Sequence, residues 1–262
     1  MLAKDVIAAQ DEAREVPPFS DRYPGLSPDD GYAAARALHA HRIARGWRPR
    51  GRKIGFTNRT LWQRYGVFEP MWGTVYDRTL IHAEHDRAAI PLAGLVQPRI
   101  EPEIAFRLKR VPGAGDPVHL LACIDWMAHS VEIVQCHHPA WKVTLADCCA
   151  DNGLHGRLVV GTPVSMDAVA AAADSLSRVE ARLYRGHELR DRGVGANVLG
   201  SPLVSLGYLV DLLKKQPLAE PLGAGEIITT GVITDAHPVT AGETWHTEIC
   251  GLPLAGLSLT FR

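Results

Sequence analysis

Apolar residues in this chain follow two spacings: a helical one in a few segments, and the two-residue period of strands over most of the length. Helical spacing predicts helices at 2–15 and 29–46, the second with Ser27 just ahead of it as a start signal. Leucines and valines at helical spacing predict another helix at 202–215, and a short alanine run predicts one at 170–173.

Short β-like runs broken by glycine and proline fill the chain from residue 51 onward. The predicted strands are 53–56, 74–82, 99–108, 130–135, 156–160, 179–184, 226–230, 244–250 and 254–261. A small N-terminal helical region, 1–50, is therefore followed by a β-rich body, 51–262, and the pattern predicts an α+β fold.

The composition favours an enzyme that acts on small molecules. The chain has 262 residues, of which 46% are hydrophobic and 22% charged, so it can bury a substantial core. Its formal net charge is -1, its pI is near 6.9, and its basic residues are scattered. Such a chain has no electrostatic footprint for nucleic acid or for an anionic membrane, and we expect neither as a partner.

The sequence predicts a cytoplasmic protein. It has no apolar run of the roughly 18 residues that span a bilayer, and its N-terminus lacks the basic and apolar regions of a secretory signal. The five cysteines are odd in number and lack zinc-like pairing, which is typical of reduced thiols.

Two glutamates one residue apart, Glu101 and Glu103, are the most informative feature of the sequence. In a strand over 100–106 the four apolar residues point to one face, and both carboxylates point to the other, roughly 7 Å apart. Two like charges on one face are relieved by water, a basic side chain or a cation, and oxygen ligands suit Mg²⁺, Mn²⁺ or Ca²⁺. For an isolated pair a solvated edge strand is the favoured explanation, so the rest of the sequence must supply the reason to prefer a metal.

Glu132 adds a third carboxylate, again inside a predicted strand and flanked by β-branched residues. Buried without a partner it would be unfavourable, so it either completes a half-shell of oxygen ligands or forms a salt bridge to an arginine.

Lys53 lies between Gly51 and Gly55 in a strand whose apolar neighbours favour burial. Such a lysine either reaches the surface or faces a polar pocket, where burial or a metal lowers its pKa toward a useful acid/base range. Asp77 follows an apolar strand, a position that holds turn residues more often than catalytic ones.

Thr229, Thr230 and Gly231 end another apolar strand. Two hydroxyls and a glycine allow side-chain and backbone donors to meet an anionic ligand, although an ordinary turn has the same composition. The histidines lack the spacing of a helical zinc site, and we interpret most of them as surface or core residues.

Taken together, these motifs resemble the 2-keto-4-pentenoate hydratase/4-oxalocrotonate decarboxylase family of the fumarylacetoacetate hydrolase superfamily. The resemblance runs over nearly the whole chain, and its order of short blocks is far more specific than any one block. The blocks are GRKIG at 51–55, GT at 73–74, IEPEIAF at 100–106, EIV at 132–134, ADN at 150–152, LGSPL at 199–203 and IITTG at 227–231.

The resemblance implies a mixed β-roll body of the fumarylacetoacetate hydrolase type with an N-terminal helical region, and a divalent metal, Mg²⁺ or Mn²⁺. By motif position the metal-ligand acids fall on Glu101, Glu103 and Glu132. The active-site lysine falls on Lys53.

The substrate implied by the resemblance is a 2-oxo acid from the meta-cleavage pathways that degrade aromatic compounds. The substrate-contacting hydroxyl falls on Thr229 or Thr230, next to Gly231, and the acidic partner of the lysine on Asp77.

The expected activity is hydration of a 2-hydroxy-2,4-dienoate to a 4-hydroxy-2-oxo acid. A 4-oxalocrotonate-type decarboxylase is the alternative, because both reactions need the same stabilised enolate. An acylpyruvate hydrolase is less favoured, since no Glu-His pair for a lid is found ahead of Lys53. A non-catalytic partner subunit is disfavoured by the intact acids and lysine.

The family also implies a homo-oligomer, with association with a pathway partner enzyme as a further possibility. Three tryptophans, Trp47, Trp62 and Trp72, look exposed in the sequence pattern and would suit an interface between copies.

Overall fold

The computed structural model describes residues 1–166, 175–216 and 219–262. The helix expected at 170–173 lies outside the described residues. The helices are α1 (Leu2–Glu12), α2 (Phe19–Arg22), α3 (Pro28–Ala44), α4 (Trp62–Tyr65), α5 (Pro117–Cys123), α6 (Leu145–Ala150) and α7 (Pro202–Lys215). Single 3₁₀ turns are described at Arg59–Leu61, Pro139–Trp141, Asn152–Leu154 and Gly195–Asn197. No helix in these ranges is long and apolar enough to cross a membrane.

The strands form two sheets. They are β1 (Pro49–Gly55), β2 (Met71–Tyr76), β3 (Leu80–His82), β4 (Arg87–Ile90), β5 (Arg99–Leu108), β6 (Ile124–Val134), β7 (His155–Val160), β8 (Val164–Ser165), β9 (Glu180–Arg185), β10 (Glu188–Val194), β11 (Ile227–Thr229), β12 (His237–Pro238), β13 (Thr244–Cys250) and β14 (Ser258–Phe261).

The larger sheet has nine strands and holds all the strands that carry the predicted site. Its main path runs β2-β1-β11-β5-β6-β7-β3, with β12 beside β5 and β8 beside β6. The β1–β11 and β3–β7 pairs are parallel and the other pairs are antiparallel, so the sheet is mixed. The second sheet, β10-β9-β13-β14-β4, packs against one end of the first.

The core lies on the apolar face of β5, as the alternation predicts. Ile104 and Phe106 pack with Leu206 and Leu209 of α7, while Ile100 packs with the second sheet. All of these side chains are fully buried. Because this face is committed to the core, the carboxylates of β5 are forced to the opposite face.

The N-terminal helices pack on the β-rich body. Ser27 and Asp30 form a reciprocal capping box at the start of α3, with Pro28 in its first turn. Gly31 lets α3 approach α6 closely, since a Cβ there would lie 2.5 Å from the carbonyl oxygen of Ala146. The division of the chain into 1–50 and 51–262 stays a prediction.

Most predicted elements are confirmed, with differences at their ends. The strand predicted at 74–82 is two strands, because the Thr79 hydroxyl bonds to both backbone groups of Tyr76 and closes a turn between them. The sequence pattern missed α6, which is too short to show a period, and β10, which is polar because much of it is exposed.

The three tryptophans expected at an interface have partners within the chain. Trp47 packs edge-on against Tyr76, Trp62 packs against Phe68, and the indole N–H of Trp72 donates to Gln216. All three are half-buried, so they do not by themselves mark an interaction surface.

Candidate metal centre

Strands β5 and β6 bring three carboxylates together on one face of the large sheet. Glu101 lies directly opposite Glu132 in the antiparallel register, and Glu103 is the next residue of β5 on the same face. One oxygen atom from each side chain lies within 4.8 Å of the others. Glu103 and Glu132 are fully buried, whereas Glu101 is half-buried and lines a pocket.

Glu103 is held by the end of β11. The Thr229 hydroxyl and the backbone N–H of Gly231 both donate to Glu103 Oε2, the latter over 2.8 Å. The other oxygen, Oε1, is buried and accepts no hydrogen bond from any described residue. One oxygen is thus fixed by the protein, and the other is left for a partner of another kind.

Glu132 is held from two sides. Its Oε1 lies 2.8 Å from Nδ1 of His155, and its Oε2 lies 3.3 Å from the amine of Lys53. His155 in turn lies 2.9 Å from the Thr79 hydroxyl through Nε2. Since burial lowers the pKa of His155, the neutral imidazole with its proton on Nδ1 fits these contacts best, and it orients the carboxylate.

Lys53 projects from β1 onto the same face and is almost completely buried. Its amine donates to the carbonyl oxygen of Gly153 over 2.7 Å, in addition to its ion pair with Glu132. The lysine therefore bridges the carboxylates and the 3₁₀ turn Asn152–Leu154.

The pKa values show that the one lysine does not balance the negative charge of the three carboxylates. Burial raises the pKa of Glu101 to about 8 and that of Glu103 well above its ordinary value, and in both cases the Glu132 charge adds to the rise. Burial also acts on Glu132, but Lys53 and His155 bring its pKa below the ordinary value. One lysine thus satisfies one carboxylate of the three.

The expected lowering of the Lys53 pKa is not produced by the protein groups alone. Burial does lower it, but the charges of Glu132, Glu101 and Glu103 outweigh burial, and the pKa lies above its ordinary value. The sequence pattern does not indicate this effect, because Glu132 lies far from Lys53 in the chain and approaches it only through the sheet order β1-β11-β5-β6.

The donor set fits a hard divalent cation. It is made of carboxylate oxygens alone, and one of them, Glu103 Oε1, is buried and unpartnered among the described residues. A cation of charge +2 would also relieve the repulsion that raises the pKa values of Glu101 and Glu103. Mg²⁺ and Mn²⁺ prefer oxygen ligands of this kind.

A pocket opens beside Glu101 and Lys53, with an empty volume of about 490 Å³ that includes solvent at its mouth. Its polar end is formed by these two residues, and its remaining wall is mostly apolar. That wall consists of Gly55, Phe56, Asn58, Leu61, Tyr65, Met71, Val134, Trp141, Leu154, Val232 and Ala236. Size and lining suit a small acid with one charged end.

The structure does not bring Asp77 to this site. It lies in the turn after β2, where its side chain accepts a hydrogen bond from the Arg48 backbone N–H over 3.0 Å. Lys53 lies five positions after Arg48 in the chain, which corresponds to about 16 Å of extended strand. A direct catalytic partnership between Asp77 and Lys53 is therefore unsupported by the geometry.

The predicted substrate-contacting residues lie behind Glu103 instead of in the pocket wall. Thr229 and Gly231 bond to Glu103, and the Thr230 hydroxyl donates to the carbonyl of Ile104 over 2.8 Å. In this arrangement all three groups support the metal-site carboxylate and its strand.

His155 and the pocket wall were missed from the sequence. His155 had been interpreted as a core or surface histidine, and its position at the start of a strand next to β6 is visible only from the sheet pairing. Tyr65 and Trp141 lie in short irregular elements with no motif to mark them.

Comparison with known proteins shows the family to which the chain belongs. No family model matches the chain. A 2-keto-4-pentenoate hydratase from Paraburkholderia xenovorans (strain LB400) is 33% identical over 253 residues, which cover 95% of this chain and 90% of that protein. A 4-oxalocrotonate decarboxylase from a Pseudomonas species is 32% identical over 244 residues, covering 90% and 91%. The chain belongs to the 2-keto-4-pentenoate hydratase/4-oxalocrotonate decarboxylase family.

Solved structures confirm the fold. A 4-oxalocrotonate decarboxylase from Pseudomonas putida G7, complexed with magnesium and adipate, superposes with a TM-score of 0.89 at 27% identity, covering 100% of this chain and 96% of that one. A fumarylacetoacetate hydrolase family protein from yeast gives 0.59 at 13% identity, covering 82% and 93%, and shows the shared fold alone. The mixed β-roll of the hydrolase superfamily is therefore confirmed.

Glu103→Gln tests the cation site. The amide oxygen can still accept from Thr229 and Gly231, but the amide N–H₂ then occupies the position of the unpartnered oxygen and repels a cation. We expect Mg²⁺ and Mn²⁺ affinity to fall at least about tenfold by calorimetric titration. The metal-free variant should be as stable as the parent or slightly more so, because one buried acid is removed.

Glu243→Gln is the matched control. This glutamate accepts from the Trp245 indole over 2.8 Å in the second sheet, away from the carboxylate cluster. It should bind the cation like the parent. Unchanged binding in Glu103→Gln would remove Glu103 from the cation site.

Proposed function

We propose that the protein is a metal-dependent hydratase that converts a 2-hydroxy-2,4-dienoate of the 2-keto-4-pentenoate type to a 4-hydroxy-2-oxo acid. The observation that carries the proposal is the polarity of the pocket. Glu101 and Lys53 line one end, with Glu103 and Glu132 buried next to them, and the wall beyond is mostly apolar. Five of the similar curated proteins are named 2-keto-4-pentenoate hydratase.

Glu101, Glu103 and Glu132 would hold Mg²⁺ or Mn²⁺. The bound cation would supply positive charge for the carboxylate and 2-oxygen of the substrate and so stabilise an enolate. His155 orients Glu132, and Thr229 with Gly231 orients Glu103, so the ligand oxygens are fixed before any cation arrives.

Lys53 is the residue placed to move a proton. Its Nζ lies at the boundary between the carboxylates and the pocket, and it is the one lysine or arginine among the described residues of the pocket wall. We assign to this amine the proton that is added when the dienol becomes an α,β-unsaturated ketone. Water then adds at C4 of that ketone, and the apolar wall holds the remaining carbon chain.

The decarboxylase alternative requires a second carboxylate in the substrate. Adipate, the molecule in the decarboxylase structure, is also a dicarboxylate. Here Arg99, two residues before Glu101 on β5, lies 4.2 Å from the ring centre of Trp141 and donates to the Tyr65 hydroxyl. Because Arg99 is engaged with these two wall residues and does not itself line the described pocket, Lys53 is the one cation that the described wall offers to a substrate.

The other two alternatives have less support. A hydrolase would need a Glu-His pair over the pocket, and the segment 57–70, which supplies Leu61 and Tyr65 to the wall, has no histidine. A non-catalytic subunit would not need Lys53 buried against the carboxylates. Because burial of these charges is unfavourable for stability, a chemical role explains the arrangement better than a structural one.

Side-by-side assays separate hydratase from decarboxylase. With Mg²⁺ or Mn²⁺, we expect loss of the ultraviolet absorbance of 2-hydroxypenta-2,4-dienoate with a kcat/KM at least about tenfold above that for 4-oxalocrotonate, because an unpaired second carboxylate is poorly tolerated in an apolar wall. Carbon dioxide release from 4-oxalocrotonate is measured in parallel. Efficient release with slow dienoate turnover would favour the decarboxylase.

Lys53→Met tests the proton transfer. We expect kcat to fall by a factor on the order of 10² or more while metal affinity stays near the parent value, because the amine is not a metal ligand. Lys53→Arg should restore little activity, since a guanidinium is a weaker acid than an ammonium and, being larger and planar, cannot take the place of the amine between Gly153 and Glu132. Near-parent kcat in Lys53→Arg would mean that the residue supplies only charge.

We also propose that the protein is a cytoplasmic homo-oligomer, with a pathway partner enzyme as a further associate. The five cysteines are free, and four of them are buried, which suits a reducing compartment. Exposed apolar side chains such as Phe68 and Val118 are available for contact between copies. Light scattering at micromolar concentration should give a mass that is a multiple of 28.5 kDa, and a monomer would contradict the proposal.

A further inference from the structure

The segment 151–155, which joins α6 to β7, contacts the polar end of the site at two points. The carbonyl oxygen of Gly153 accepts from the Lys53 amine over 2.7 Å, and His155 lies 2.8 Å from Glu132. Leu154, between them, lines the pocket. The placement of this short segment therefore decides where the lysine amine is held.

The backbone of the segment is held in an unfavourable conformation. Three consecutive residues are left-handed, with φ of 51° at Asn152, 65° at Gly153 and 62° at Leu154. Asparagine and glycine adopt this region readily, whereas leucine adopts it at an energetic cost. A turn of this kind persists only where its surroundings fix it, so the contacts of its first residue matter.

Asn152 fixes the turn to the edge of the large sheet. Its Oδ1 accepts from the backbone N–H of Thr74 over 2.9 Å, and its Nδ2 donates to the Thr74 carbonyl over 3.0 Å. The side-chain amide thus pairs with β2, the edge strand, as another strand would. Gly73 permits this approach, because a Cβ there would lie 2.1 Å from the backbone oxygen of Asn152.

The contact between Asn152 and Thr74 lies directly beside Lys53 in the sheet. In the β1–β2 ladder Lys53 lies opposite Gly73, one residue from Thr74. Asn152 is therefore hydrogen-bonded to β2, the same strand that pairs with Lys53. The Gly153 carbonyl is thus positioned relative to the lysine backbone through a short path that runs from Gly153 through Asn152 and β2 to β1. This path also joins two sequence motifs, GT at 73–74 and ADN at 150–152, that have no role in the proposed chemistry.

We propose that Asn152 is a positioning residue for Lys53. By clamping the left-handed turn to β2, it holds the Gly153 carbonyl where that oxygen directs the lysine amine toward Glu132 and the pocket. The kinetic consequence rests on the proposed function, whereas the position of the amine does not. The two parts are therefore tested by separate measurements.

The first measurement follows the lysine without any substrate. The chain has six lysines, and the other five are exposed, so a slowly exchanging side-chain ammonium signal in ¹⁵N NMR belongs to Lys53. Its absence in Lys53→Met confirms the assignment. Asn152→Gly keeps a residue that tolerates positive φ but removes the amide clamp, and we expect the Lys53 signal to shift, broaden or disappear.

Gln97→Gly is the matched control. Gln97 also has a positive φ, 48°, and its amide also donates to backbone carbonyls, those of Cys136 and His138. Its replacement removes a similar clamp and should leave the Lys53 signal unchanged. If Asn152→Gly does not fold, Asn152→Asp serves instead, since it keeps the acceptor for Thr74 and loses only the donor; we expect a smaller change in the same signal.

The second measurement is turnover of 2-hydroxypenta-2,4-dienoate. Asn152→Gly should lower kcat about tenfold or more, with KM and metal affinity within about twofold of the parent, because a misplaced amine affects the chemical step. In a Lys53→Met background the same change should lower kcat no further. A structural role alone would lower kcat equally in both backgrounds.

The outcomes separate the two ideas. An unchanged Lys53 signal in Asn152→Gly, or an equal loss of kcat with and without Lys53, would overturn the positioning role. If the parent protein turns over neither dienoate nor 4-oxalocrotonate, the proposed function fails, and a changed Lys53 signal in Asn152→Gly still supports the positioning role.

Discussion

The grouping of three carboxylates, two of them fully buried, beside a single lysine is the constraint on which this structure depends. Glu103, Glu132 and Lys53 are almost completely removed from water, so their charges act through a medium of low polarity. Lys53 compensates one acid, and the remaining negative charge must be balanced by protons or by a cation. The protein therefore has a built-in affinity for positive charge at one point of its large sheet, and that affinity is lost if any of the strands β1, β5 and β6 is displaced.

The fold meets this constraint with backbone groups and neutral side chains rather than with further cations. Gly231 has a φ of 102°, and a Cβ there would lie 1.7 Å from the Thr57 hydroxyl, so glycine alone lets its N–H reach Glu103. His155 supplies Glu132 with an N–H from an imidazole whose pKa burial lowers. Since these donors carry no formal charge, they orient the carboxylates and leave their charge to be neutralised by a cation.

The sequence predicted the chemistry of individual strands well and the contacts between distant strands poorly. Alternation alone placed Glu101 and Glu103 on one face, because the apolar residues that alternate with them along the strand had to enter the core. It could not show that Lys53 lies 3.3 Å from Glu132, since that contact depends on the strand order of a mixed sheet. Asp77 illustrates the opposite error: its motif position suggested a catalyst, while local hydrogen bonding with Arg48 keeps it in a turn.

The division of the pocket into a charged end and an apolar end explains how one family carries out two reactions. The residues that would hold the cation and move the proton come from regular strands and the turn that supports them, whose register is fixed by the core. The far wall comes from the irregular segments around Leu61, Trp141 and Ala236, which can change without disturbing that register. We therefore expect the choice of substrate to depend on whether these segments place a charged side chain in the pocket wall. In this chain, Arg99 is engaged with Tyr65 and Trp141 and is not part of the described lining, so the far wall of the pocket is mostly apolar.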